Sequence, residues 1–154
     1  MFKFLKKLVG FITGEKTMAG KRPRVREYTV TLRGGNGPCD IHFDLDPPGL
    51  DFANAGRPGF FVYFDAVDGP GVSNARFDSA DPIWVQNVAA CPTAACNWDQ
   101  FKSVGLINEG KTLVVRNKND APAQQFGFTL RFRVDGCPNV VEFDPIGNNQ
   151  NGPQ

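Results

Sequence analysis

The chain has 154 residues, with 17 Gly, 12 Pro and 14 Phe, enough for one domain plus an appendage but not a second core. Its single histidine, His42, removes blue-copper and multi-histidine catalytic zinc sites, which need more than one imidazole. The net charge of +1 hides a sorted chain: Met1 to Arg26 carry eight Lys or Arg against Glu15 alone (+7), and the remaining nine basic and fifteen acidic residues give −6.

At the N-terminus, Phe4, Leu5, Leu8, Val9, Phe11 and Ile12 share one side of a 3.6-residue helix, while Lys3, Lys6 and Lys7 recur on the other. This predicts a short cationic amphipathic helix within residues 1–17. It is too short to span a bilayer, which takes about 20 apolar residues. Its uninterrupted apolar run, Leu8 to Ile12, is also shorter than the roughly 7 to 15 residues of a signal-peptide core. The expected role is reversible contact with an anionic membrane surface through these nine residues. The weighed alternatives are that the helix packs on the body or a partner, or that translation starts at Met18 or the leader is processed. Residues 18–26, with Lys21, Arg22, Arg24 and Arg26, read as a basic tether. A nucleic-acid role draws little support from so short a run.

From Arg26 to Arg33, Tyr28, Val30 and Leu32 alternate with Glu27, Thr29 and Thr31, the signature of a half-buried strand. A Gly34–Pro38 turn leads to a second strand, where Ile41, Phe43 and Leu45 alternate with His42, Asp44 and Asp46. Phe60 to Phe64 is a near-continuous apolar run suited to a strand buried on both faces. Weaker strands are expected at Val72–Phe77 and Ile83–Val88. Phe101–Ile107 and Thr112–Arg116 bracket a turn at Asn108, Glu109 and Gly110. The clearest element is Phe126 to Val134, where large apolar residues occupy every second position. A last strand falls near Val140 to Phe143, and residues 147–154 read as a flexible tail. The sum is an all-β, antiparallel, immunoglobulin-like β-sandwich of seven to nine strands over residues 27–146.

The stretch Thr112, Leu113, Val114, Val115, Arg116, Asn117, Lys118, Asn119, then Phe126 to Phe132, then Phe143, Asp144, Pro145, Ile146, Gly147, Asn148 and Asn149 resembles the bacterial DP-EP family of small uncharacterised proteins. The resemblance covers about the last 45 residues well and the rest in outline. The Asp-Pro motif in the matching place is Asp144 and Pro145, and the chain has no Glu-Pro. The resemblance implies an immunoglobulin-like sandwich and brings no activity with it.

Four cysteines allow three disulfide pairings, and Cys39 with Cys137 plus Cys91 with Cys96 is preferred, since the first two flank strands that can meet at one end of the sandwich. Free thiols and a zinc site from all four thiolates are the alternatives. His42, flanked by Asp40 and Asp44, reads as an exposed strand residue and not as a catalytic base. Asp40, Asp44, Asp46 and Asp51, and again Asp65, Asp68, Asp78 and Asp81, are carboxylate clusters open to calcium, but Asp beside Gly or Pro is first of all turn chemistry. Trp84, Trp98, Tyr28 and Tyr63 are candidates for a sugar-stacking face, with core placement preferred for both tryptophans and Trp98 expected beneath the cysteine loop.

The expectation is therefore a non-enzymatic interaction or structural module, without cofactor or metal, cytoplasmic or peripheral at a membrane, with an unidentified protein partner. The alternative is a secreted or periplasmic sandwich binding sugar or calcium and held by disulfides. A hydrolase with opposed carboxylates is third.

Overall fold

A computed structural model describes residues 24–52, 59–88, 90, 92–119, 124–144 and 146–149. The expected helix of residues 1–17, its nine membrane-contact residues and most of the tether lie outside these. The described chain is all-β, and among the described residues no helix is long and apolar enough to cross a membrane.

Two sheets pack face to face. The first contains β1 (Arg24–Gly34), β2 (Ile41–Asp46), β4 (Phe60–Asp68), β7 (Phe101–Ile107) and β8 (Thr112–Asn117), in the order β2-β1-β4-β8-β7. The second is organised around β9 (Gln124–Arg133). On one edge β9 pairs with β5 (Arg76–Phe77) and β6 (Ile83–Gln86), and on the other with β10 (Val141–Phe143) and β11 (Ile146–Asn149). The short β3 (Leu50–Asp51) extends this sheet beside β11.

The alternation of β9 does what its sequence requires. Phe126, Phe128, Leu130 and Phe132 point into the core, whereas Thr129, Arg131 and Arg133 lie on the outer face. Across the core, Phe64 of β4 meets Phe128 with ring centroids 6.0 Å apart, and Phe43 of β2 meets Phe132 at 5.6 Å. Phe101 of β7 contacts Phe126 and Phe128, each at 4.9 Å. The phenylalanines thus fill the space between the sheets in offset and edge-on pairs, which aromatic quadrupoles favour.

Several expectations are corrected. Pairing is mostly, not wholly, antiparallel: β1 runs parallel to β4 and β3 parallel to β11. After β2 the chain leaves the first sheet, contributes β3 to the second, and re-enters at Phe60 opposite Arg24, so β4 follows the direction of β1. Eleven strands lie among the described residues, where seven to nine were expected. The Val72–Phe77 strand shortens to Arg76–Phe77, because Asn74 has φ 56° and the Asp68 carboxylate accepts the Asn74 and Ala75 N–H groups at 3.0 and 2.7 Å. The Ile83–Val88 strand stops at Gln86. Residues 147–149, read as tail, pair with β9 instead.

Candidate functional site

The open side of the sandwich lies between β6, on the edge of the second sheet, and β7, on the edge of the first. A cleft of about 470 Å³ runs between them. Its apolar lining is Ile83 and Val85 of β6, Phe101 and Leu106 of β7, and Val115 of β8; Ser79, Asp81, Asn97 and Ser103 supply polar groups. β7 bulges between Ser103 and Gly105, which leaves Val104 half exposed at the mouth. Bulges twist an edge away from uncontrolled strand addition, and Lys102 beside this one has the same effect.

The cleft is lined by two hydroxyls, an amide and a carboxylate around an apolar floor. Its hydroxyls, Ser79 and Ser103, would need a base to become nucleophiles. The only histidine stands on β2, four strands away from β7 in the same sheet, or about 19 Å at the usual strand spacing. Asp81 is engaged by the protein itself: its carboxylate accepts the Trp84 Nε1–H at 2.5 Å and its carbonyl accepts an Arg131 Nη1–H at 2.8 Å. Among the described lining residues Asp81 is the one carboxylate, so the opposed pair required for glycoside hydrolysis is not assembled there.

Behind the cleft, the outer face of β9 carries a charged layer. The Arg131 guanidinium lies 4.4 Å from the Trp84 ring centroid, donates to Glu142 at 3.1 Å and to Asp78 at 3.3 Å, and is 16% exposed. Arg133 donates to the other Asp78 oxygen at 3.1 Å. Register explains the convergence, because Arg131 opposes Glu142 on β10, and Thr129 opposes Trp84 on β6. Trp84 is therefore not a core residue. Ile83 and Val85 take the core side, leaving Trp84 on the outer face, buried under Arg131. Trp98 is where it was expected, partly buried against Phe101 at 5.6 Å and Phe126 at 6.0 Å.

Asp144 of the Asp-Pro motif accepts the Thr129 hydroxyl at 2.8 Å, and that hydroxyl also lies 2.8 Å from the Pro92 carbonyl. The residue thus ties the loop through Pro92 to the outer face of β9. Pro145 lies outside the described residues.

At one end of the sandwich Cys39 and Cys137 form a disulfide that joins the β1–β2 loop to the β9–β10 loop. Cys96 is free among the described residues, and Cys91, its preferred partner, lies outside them. A zinc site from all four thiolates is removed, because two are consumed in the disulfide. Beside the bridge, a second cavity of about 470 Å³ is walled largely by glycine backbone, with Asp40 and Asp135 on its rim. A Cβ at Gly35 would meet only the ends of the exposed Asp40 and His42 side chains, which would have to swing aside. His42 is exposed, 3.5 Å from Asp40.

Four of the acidic residues read as calcium candidates are used by the fold. Asp44 pairs with Arg33 at 2.7 Å, Asp65 accepts the buried Thr112 hydroxyl at 2.6 Å, Asp68 fixes the turn before β5, and Asp78 holds both arginines of β9. The Arg33 hydrogen bond pulls the Asp44 carboxyl below its ordinary value. Among the described residues no three potential metal ligands come together.

The cleft itself was not read from the sequence. Its polar residues come from three separate segments, none with a motif; the one local signal was Gly105 inside a strand pattern, which marks a bulge. No protein-family model matches the chain, and no curated protein matches it.

Proposed function

We propose that the chain is a non-enzymatic, immunoglobulin-like interaction module related to the DP-EP family, held reversibly at an anionic membrane surface by residues 2–12. The carrying observation is the separation of charge: a +5 arm, residues 1–23, precedes a body of −4. Such a body gains nothing from an anionic surface by itself, so the arm supplies the attraction. The body offers the β6–β7 cleft to a partner. Two carboxylates support this reading over catalysis, since Asp81 at the cleft is bound to Trp84 and Asp78 is bound to Arg131 and Arg133 of β9.

Flotation of the full chain with anionic and neutral vesicles tests the anchor. Three lysines at about 1 kcal/mol each predict that K3Q/K6Q/K7Q loses roughly a hundredfold in partitioning to anionic vesicles, and that salt weakens the wild type. Equal flotation of the two proteins sinks the proposal.

The Cys39–Cys137 bridge favours a second reading, a secreted or periplasmic ligand-binding module, because disulfides persist where the environment is oxidising. In that case the cleft's hydroxyl, amide and carboxylate groups around an apolar floor suit a sugar. Titration with a panel of neutral saccharides, followed by tryptophan fluorescence, tests it, and a flat response across the panel rejects it.

A further inference from the structure

Four of the body's arginines are neutralised where they stand. Arg33 pairs with Asp44, Arg76 with Asp135, and Arg131 and Arg133 with Asp78. One end of the first sheet departs from this. Register lays Val25 of β1, Phe61 of β4, Arg116 of β8 and Lys102 of β7 side by side in a row about 14 Å long. The row is on the outer face, because Phe60 and Val62, on either side of Phe61, belong to the core. Lys118, two residues past Arg116, extends it to the tip of the sheet. Arg116, Lys102 and Lys118 are exposed, and among the described residues none of them has an ion-pair partner. Val25 is 39% exposed and Phe61 half-buried, so the cations flank apolar surface. A Cβ at Gly59 would fall 3.0 Å from Arg116 Nη2, which places the guanidinium over the Gly59 backbone at the tip.

We infer that this end of the first sheet is the face the body turns to an anionic membrane, with Lys102, Arg116 and Lys118 against lipid phosphates and Val25 and Phe61 at the level of the headgroups. The inference rests on the membrane reading above and adds which side of the body meets the lipid. Charge complementarity selects the face. Across residues 24–27 of β1 and the neighbouring segments 59–62, 99–103 and 115–119, five basic residues, the three above with Arg24 and Arg26, stand against Glu27 and Asp99, a local +3. The body as a whole is −4, so the rest of it carries −7 and is repelled where it approaches. Glu27 lies two residues further from the tip, beside Tyr63, whose phenol is pushed above its ordinary value by burial and then by that carboxylate. The two ends do not cancel at the surface. β4 runs nine residues, about 27 Å, from Phe60 to Asp68, against a screening length of about 8 Å. The loops joined by Cys39 and Cys137 lie at the Asp68 end, where Gly34 N–H reaches the Pro70 carbonyl, and so point to water. The chain enters the sandwich at Arg24, so the basic arm is joined to the body at the cationic end. Aliphatic and aromatic groups beside cations are also what an interfacial surface presents to headgroups.

Acetylation of lysines with N-hydroxysuccinimidyl acetate, mapped by mass spectrometry on the full chain, tests this, with Lys111 at the opposite end of the β7–β8 hairpin as internal control. Excess vesicles of phosphatidylserine and phosphatidylcholine, binding about nine-tenths of the chain, are expected to slow Lys102 and Lys118 about tenfold and to leave Lys111 unchanged. K102Q/R116Q/K118Q, whose changes fall at exposed positions, should lose roughly a hundredfold in partitioning to the same vesicles. Protection of Lys3, Lys6 and Lys7, with Lys102 and Lys118 reacting as they do without lipid, leaves the arm at the membrane and overturns the face. Protection of Lys102 and Lys118 without the three arm lysines upholds the face and overturns the arm as anchor. Equal protection of Lys111 overturns the orientation, and no protection at any lysine overturns both readings. A single-stranded oligonucleotide that protects Lys102 and Lys118 where vesicles do not assigns the patch to nucleic acid and overturns the lipid face.

Discussion

Replacing both Cys39 and Cys137 by serine removes the one covalent link between the β1–β2 and β9–β10 loops, residues separated by 98 positions. A cross-link across so long a segment acts chiefly on the unfolded chain. For a loop of about 100 residues the lost conformational entropy corresponds to about 4.7 kcal/mol, with native bridges in small domains spanning about 2 to 5. Against a total stability of about 5 to 15 kcal/mol this is a third or more of what holds the domain folded. The melting temperature should fall by roughly 10 to 20 °C.

The native loops keep other ties when the bridge is gone. Gly35 N–H reaches the Asp40 carbonyl at 2.6 Å, Asp135 N–H the Ser73 carbonyl at 3.0 Å, and Cys137 N–H the Val134 carbonyl at 3.1 Å. The folded state should therefore survive with its sheets intact. Urea unfolding of C39S/C137S, compared with wild type before and after reduction, separates the two sides. The expected pattern is a fall of about 3 to 5 kcal/mol with a steeper denaturant dependence, because the unlinked chain exposes more surface. Reduced wild type should match the double variant. A loss below about 1 kcal/mol, with unchanged slope, would refute the claim that the bridge restrains the unfolded chain.

The charged layer on β9 gives a second prediction. R131M keeps the stem over Trp84 but removes the guanidinium from Asp78, which is 9% exposed and still paired with Arg133, so urea unfolding should show a loss of about 1.5 to 3 kcal/mol, and a neutral result would rule out a stabilising role for Arg131 in the layer. A third concerns pH. The phenol of Tyr63 is raised above the ordinary 10.0, so the folded state holds its proton longer than the unfolded state does. This contribution is complete below the unfolded value and is lost as pH rises through the folded one. Urea midpoints measured from neutral to strongly alkaline pH should fall more steeply for wild type than for Y63F, and parallel curves would contradict the linkage.

The elements legible in the sequence were those whose signal is local. β1, β2 and β9 announce themselves because every second residue is apolar, and the β7–β8 hairpin because Asn108, Glu109 and Gly110 all adopt positive φ, which Asn and Gly accept readily. The core placement of Trp98 was legible for a similar reason. What stayed hidden is set by partners distant in the chain. Alternation gives the face of a strand and not its direction, so the parallel match of β1 with β4 left no trace. β3 and β11 have two and four residues, and Gly147, Asn148 and Asn149 show no apolar alternation; pairing between β11 and both β9 and β3 makes them strands. Trp84 misled because a large apolar ring suggests the core, whereas Arg131 brings its own cover to the outer face.

The Asp-rich segments illustrate why a charge pattern specifies so little by itself. Asp44, Asp65, Asp68 and Asp78 are alike in sequence, each near a turn or strand end, yet they meet an arginine, a buried hydroxyl, two backbone N–H groups and a pair of arginines respectively. Three of these sets of partners sit on other strands, β1, β8 and β9, and the partners of Asp68 lie in the loop that follows β4. A carboxylate already bound in this way would have to surrender that bond to hold calcium or to act on a substrate, and the loop or strand it fixes would loosen with it. That cost shifts the functional weight from the acidic groups to surfaces. The β6–β7 cleft, among the described residues, presents an apolar floor with Ser79, Asn97 and Ser103 at its edge, and none of these is a carboxylate that holds a strand or turn in place.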